Sequence, residues 1–268
     1  MLRFLAGLIA AASTFALASI ASAADMPAKA PAYKPPVGYN WSGFYFGGHI
    51  GYGWGSDPVE FSPLSAVYAP AFAAGNLPTS LADNARGVIG GIQYGTNWQF
   101  DRIVLGWDSD FSFSDIHASQ SVTNATPPIV STADQKLSLL TTTRGRVGYT
   151  VLDNLLVYGT GGLAAGRASV ISTFYQTACG PGNCVAGSDS KTLWGWAAGG
   201  GVEYAMGHWL LRAEYLHYDL GDLNYSMSDP RTPGNLIAAS TKFSGDIVRG
   251  AISYKFDWSP WELLFGRH

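Results

Sequence analysis

From Ile103 onward the chain alternates residue by residue. The odd positions are Ile103, Leu105, Trp107, Ser109, Phe111 and Phe113; the even ones are Val104, Gly106, Asp108, Asp110, Ser112 and Ser114. A period of two puts each set on its own face of an extended strand. One face is apolar and aromatic, the other small, polar or charged. Strands of this kind leave two architectures: two sheets packed face to face, or one sheet closed on itself.

The split recurs. Phe44, Phe46, Ile50, Tyr52 and Trp54 form one apolar face, and Val88, Ile92, Tyr94 and Trp98 another, opposite Gly87, Gly91, Gln93 and Gly95. Leu137, Leu139, Val147 and Tyr149 oppose Ser138, Arg144, Arg146 and Gly148. Trp194, Trp196, Val202 and Tyr204 oppose Gly195, Gly199, Gly201 and Glu203. Trp209, Leu211, Ala213 and Tyr215 oppose Arg212 and Glu214; Val248, Ile252, Tyr254 and Phe256 oppose Arg249, Ser253 and Lys255. Only 155–166 fits neither register, because Leu155 and Leu156 adjoin.

Eight strands are therefore expected, near 42–54, 86–99, 103–115, 136–150, 155–170, 192–205, 209–219 and 243–256. Phe100-Asp101-Arg102, Leu152-Asp153-Asn154 and Met206-Gly207-His208 read as tight turns. The other connections, 55–85, 116–135, 171–191 and 220–242, read as long loops rich in Pro, Ser, Thr, Asn and Asp. Alternating short and long connections describe an all-β fold: an eight-stranded antiparallel transmembrane β-barrel with short periplasmic turns and long extracellular loops.

Composition separates this from a soluble sandwich. Only 13% of residues are charged, against about 25% in soluble domains. The polar face carries Asp108, Asp110, Glu203 and Glu214 with Arg144, Arg146, Arg212 and Arg249. These eight are expected to line the lumen and to pair, because unpaired charge in a narrow interior is costly. Asp108 and Asp110 are expected to meet Arg144 and Arg146 toward the outer end, and Glu203 and Glu214 to meet Arg212 on the periplasmic side. Glycines between them leave room for long side chains. Phe44, Trp98, Tyr149, Tyr204, Trp209, Tyr254 and Phe256 cluster toward the short turns, as an interfacial girdle does.

Residues 1–23 read as a secretory signal peptide: Arg3, an apolar run from Phe4 to Ile20, then Ala21-Ser22-Ala23. Cleavage is expected after Ala23 or Ala24. Residues 24–40, with Pro27, Pro31, Pro35 and Pro36, read as a periplasmic tether, 41–256 as the barrel and 257–268 as a C-terminal extension. No later segment has the roughly 20 apolar residues of a spanning helix.

Four stretches carry a family resemblance. They are Trp41-Ser42-Gly43-Phe44-Tyr45 with Gly47-Gly48, Thr143 to Tyr149, Leu156 to Ala164, and Arg212-Ala213-Glu214-Tyr215. The chain resembles, over about 24–256, the small porin-like outer-membrane proteins of alpha-proteobacteria, the outer membrane protein 25/31 or immunogenic family with an OmpA-like barrel. The resemblance implies roles in envelope integrity and surface interaction, and for some members haem-compound binding. It departs at the end: such barrels usually finish on the last strand's aromatic, whereas residues 257–268 follow Phe256.

Dedicated chemistry is not spelled out. Gly159 to Ala164 matches a dinucleotide fingerprint in letters, but a strand-like segment follows where a helix is required. Cys179 and Cys184 are the only cysteines, and an oxidising compartment favours a loop disulfide between them. His117 and His217 lie near Asp115 and Asp219 but on the outward parity, away from any barrel mouth. No catalytic residue, metal ligand or cofactor site is assigned. A net charge of −3 gives no nucleic-acid footprint. The expected function is structural and surface-interacting, with a small-solute pore as the alternative and haem binding or rim hydrolysis behind it. The expected partners are outer-membrane lipid and lipopolysaccharide, the barrel-assembly machinery and extracellular ligands met by the long loops.

Overall fold

Strand β1 (Gly43–Gly55) is hydrogen-bonded along both edges: to β4 (Ala85–Phe100) on one side and to β10 (Thr232–Phe256) on the other. Between them run β5 (Ile103–Ala125), β6 (Pro128–Leu152), β7 (Leu155–Tyr175), β8 (Cys184–Met206) and β9 (Trp209–Asp229). Each pairs antiparallel with the next, so the succession of eight long strands returns on itself in a barrel-like sheet. This computed structural model describes residues 38–81, 84–125, 128–176 and 184–257. The signal peptide with Ala23 and Ala24, the first part of the tether and the extension beyond Asp257 lie outside the described residues, as does Cys179.

The tight turns lie where expected. Asp101 takes a left-handed φ of 56° and Gly207 one of 60°, conformations open to Asp and Gly. The even positions of 155–166 turn inward, so Leu156, Tyr158 and Thr160 are buried while Leu163 is exposed.

Two expectations are corrected. Three of the four long loops are largely strand over their described residues: β5 and β6, β7 and β8, and β9 and β10 each continue well past the expected ends. Only 55–85 is an irregular excursion, and even it carries β2 (Val59–Pro63), α1 (Ala69–Ala73) and β3 (Ser80–Leu81). β2 pairs with Ile237–Thr241 of β10, beyond the end of β1, and extends the wall there. Secondly, Leu137 does not share the outward face of Leu139. A register shift between them turns Leu137 inward, where it is buried.

The physical reason is a reversal of polarity along the strands, seen on β5 and β9. On β5 the outward run Ile103–Phe113 is apolar but for Ser109, a length of about the 9–11 residues that suffice to cross a bilayer. Beyond it the outward residues are Asp115, His117 and Ser119. The inward residues change in the opposite sense. Asp108 and Asp110 give way to Ile116 and Ala118, and Glu214 to Leu216, Tyr218 and Leu220. The upper part therefore has an ordinary apolar core, with Leu137, Leu140, Val170, Phe174, Leu223, Met227, Ile237 and Phe243 inside. At the other end Trp41, Tyr45, Val104, Leu156, Tyr158 and Leu210 form a second apolar cluster.

Candidate functional site

Between the two apolar clusters the interior is ionic. Strand register places Asp108 opposite Arg144, Glu203 opposite Arg212, and Glu214 opposite Arg249. All eight expected charges are buried, and they form one connected network. Arg144 Nη2 donates to Asp108 Oδ2 (3.3 Å) and Asp110 Oδ2 (3.1 Å), and its Nη1 to Glu214 Oε1 (3.3 Å). Arg249 joins Asp110 (3.0 Å) to Glu214 (2.7 Å from Nε). Arg212 joins Asp108 (2.6 Å) to Glu203 (2.9 Å), and Arg146 donates to Glu203 Oε2 (3.1 Å). The expected division into an outer and a periplasmic group is corrected. The strands run so far past Asp110 that both groups lie at one level near the short turns.

Neutral donors complete the network. Tyr45 donates to Asp108 Oδ1 (3.0 Å), Tyr158 to Glu214 Oε1 (2.8 Å) and Thr142 to Asp110 Oδ2 (2.6 Å). The Arg146 guanidinium lies 4.0 Å from the Tyr158 ring centroid, a cation–π contact in a dry site. Alternation identified the charges but not Tyr45, Tyr158 and Thr142. Their inward parity was the available signal. Gly95 and Gly106 make the space: a Cβ at Gly95 would collide with the Trp107 carbonyl and the Tyr45 hydroxyl, and one at Gly106 with Asn97 Oδ1 and Arg146 Cγ.

Below the network the chain stoppers its own barrel. Trp41 is fully buried, donates through Nε1 to Asp153 O (3.1 Å), and takes Tyr39 edge-on at 5.0 Å. Gly38 lies against Asp153 and Tyr39 packs on the lower apolar cluster, so residues 38–40, expected as the end of the tether, pack against the strands. One sector keeps polar atoms unpaired among the described residues. Gln93 Oε1, both Asn97 side-chain atoms and His49 Nδ1 on β1 and β4 are buried without a protein partner, as are Arg146 Nε, Glu203 Oε1 and Arg212 Nη2.

The outward histidines do not converge. His117 Nδ1 lies 2.9 Å from Asp115 O, while His217 Nδ1 pairs with Asp246 Oδ1 at 2.9 Å rather than with Asp219. They sit on β5 and β9, four strands apart in the sheet order. Cys184 opens β8 and is buried; its expected partner lies outside the described residues. Among the described residues no group of three or more His, Cys, Asp or Glu could hold a metal.

Comparison with known proteins agrees with this architecture. An outer membrane protein beta-barrel domain model matches residues 10–256. The 31 kDa outer-membrane immunogenic protein of Brucella melitensis is 33% identical over 89% of this chain and 95% of its own. The 22 kDa outer membrane protein of Rhizobium leguminosarum is 30% identical over 72% and 70%. Among solved structures, the outer membrane protein OprG from Pseudomonas aeruginosa shares the fold, with a TM-score of 0.51 and 14% identity over 82% of this chain and 98% of that one. The chain is a non-catalytic protein of the outer membrane and belongs to the outer-membrane β-barrel family, in the group of the alpha-proteobacterial immunogenic proteins.

Proposed function

We propose that the chain is a non-conducting surface scaffold. In this reading the eight long strands form a transmembrane barrel, the short turns face the periplasm, and the long hairpins stand outside the cell and meet extracellular ligands. The observation that carries it is the ionic network: four arginines and four carboxylates bridge β5, β6, β8, β9 and β10 across the bore. Eight strands enclose a space that side chains just fill. Trp41 and Tyr39 close one end and the upper apolar core the other. Stability and surface presentation are what such a filled barrel contributes to the envelope, inserted by the assembly machinery into lipid and lipopolysaccharide.

The alternative, a small-solute diffusion pore, is favoured by one feature. The partnerless polar atoms of His49, Gln93 and Asn97 form the kind of surface that holds internal water. Planar-bilayer recording on the purified chain decides between the two. The scaffold gives a silent bilayer; reproducible single-channel steps reject it and establish the pore.

A further inference from the structure

The end of the molecule away from the short turns is hollowed. β6, β7 and β8 reach it in one row, Tyr175 pairing with Val130 on one side and Cys184 on the other. β9 ends there at Asp229. The 55–85 excursion closes the remaining side with α1 and Leu77. It is pinned in place: Asn124 of β5 donates to Gly75 O (3.1 Å) and Asn76 O (2.6 Å), and Asn76 N donates to Ala71 O (2.9 Å).

Together these elements form a cup of about 300 Å³. Leu77, Phe174 and Cys184 are buried and make its floor. Phe61 holds Phe174 edge-on, the ring centroids 4.9 Å apart. Tyr68, Ile129, Tyr175 and Val185 are half-buried and make the walls. Asp229 is the only charged side chain among the described residues of the lining. Its Oδ1 accepts from Arg231 N (2.8 Å), and among the described residues its carboxylate has no ion-pair partner. The Arg231 side chain is exposed and outside the lining.

A mostly apolar concavity with a few polar groups, set in the mouth of a barrel, is the usual form of a small-molecule site. Its volume is at the small end of the usual range of about 300–1,000 Å³, which suits one ring with a short arm. The charge selects the sign. An unpaired carboxylate accepts N–H from an ammonium group, tyrosine ring faces attract the same positive charge, and an anion is repelled.

We propose that this cup is a binding site for a small organic cation, an apolar ring bearing one ammonium group, with the ring on Leu77 and Phe174 and the charge at Asp229. The inference gives the surface scaffold a ligand class. It rests on that reading only for the side of the membrane from which the ligand arrives.

The test uses the full-length chain purified in a neutral detergent. The probes are phenethylammonium, its neutral analogue phenethyl alcohol and the anion hydrocinnamate. Equilibrium dialysis against empty micelles of the same detergent isolates binding to the protein. The wild type is expected to bind the ammonium saturably, the alcohol more weakly and the anion least. Asp229→Asn keeps an acceptor for Arg231 N and is expected to fold, which heat-modifiable migration on a gel checks. It is expected to weaken ammonium binding roughly tenfold, the loss of one charge-assisted contact, and to leave the alcohol unchanged. Asp222→Asn makes the same charge change on exposed β9 surface outside the cup and is expected to alter neither. Ala71→Trp fills the cup and is expected to abolish binding of both; if it does not fold, Asp229→Asn decides alone. Ammonium binding no greater than that of empty micelles would overturn the site. So would equal affinity for the three probes, or equal losses in Asp229→Asn and Asp222→Asn. Labelling of a hairpin tip on intact cells tests orientation separately, so a periplasmic tip overturns the surface reading without touching the site.

Discussion

Arg249 reaches one oxygen of Glu214, Oε2, with two nitrogens, Nε at 2.7 Å and Nη2 at 2.6 Å. The two residues are register partners on β9 and β10, so the contact fastens adjacent strands as well as neutralising a buried carboxylate. Glu214 in turn is held by Arg144 from β6, across the interior. A buried network of this kind does more when intact than its separate pairs suggest, because each missing member strands its neighbours.

Arg212→Ala tests this directly. It leaves Asp108 and Glu203 short of their closest cationic partner in a buried site. The expected cost is about 3–5 kcal/mol, read as a lower urea midpoint for unfolding from detergent or lipid vesicles. An unchanged midpoint would mean that water enters and solvates the stranded carboxylates.

Gly95→Ala asks whether the interior is as full as described. The new methyl would meet the Trp107 carbonyl oxygen as well as the Tyr45 hydroxyl and ring, and overpacking of this size costs about 1–3 kcal/mol. A Tyr45→Phe/Gly95→Ala pair should recover part of that loss. If Gly95→Ala folds with full stability, the space beside Tyr45 is open.

The pair Asp219–Lys242, above the lipid-facing band, sets a pH dependence. Partial burial raises the Asp219 pKa, but the hydrogen bond and charge of Lys242 and the Gly221 N–H outweigh it, so the carboxyl stays below its ordinary value. The Lys242 ammonium is raised, first by its hydrogen bond to Asp219 and then by that residue's charge. The pair's contribution is therefore present from about pH 3.9, the ordinary carboxylate value, to about 10.4, the ordinary lysine value. It fades as acid passes below the depressed Asp219 value and as alkali passes above the raised Lys242 value. The melting-temperature gap between wild type and Asp219→Asn should follow that window. A gap that persists beyond both ends would assign the effect to packing.

Cys179 and Cys184 should resist alkylation in protein taken from the envelope and react after reduction, as expected of a short loop in an oxidising compartment. Quantitative alkylation of both without reductant would rule the disulfide out.

What the sequence revealed and what it concealed have one cause. Near the short turns the contrast is strong: Phe111 faces outward while Asp110 faces the bore, and alternation reads it at once. Farther from those turns the contrast reverses sign. His117 and Asp219 face water while Ile116 and Leu220 turn inward, so a strand that continues reads as a pattern that has ended. The register shift between Leu137 and Leu139 adds a second change of phase at the same height. The charged residues of the candidate site were legible because each is conspicuous on an otherwise small-residue face. Their union into one network was not, because that depends on how far the strands run beyond them.

Because β5 and β6 persist as paired strands rather than dissolving into loops, the outer end has a definite height. About twelve residues of β5 follow Phe113, or roughly 40 Å of chain at about 3.4 Å per residue. Tilted by about 40°, they would carry the end of β5 on the order of 30 Å beyond Phe113 along the axis of the proposed barrel. In the orientation proposed above, an internally packed mast of this kind carries the far ends of β5, β6, β9 and β10 away from the membrane, so an outside partner would meet them before it meets the lipid.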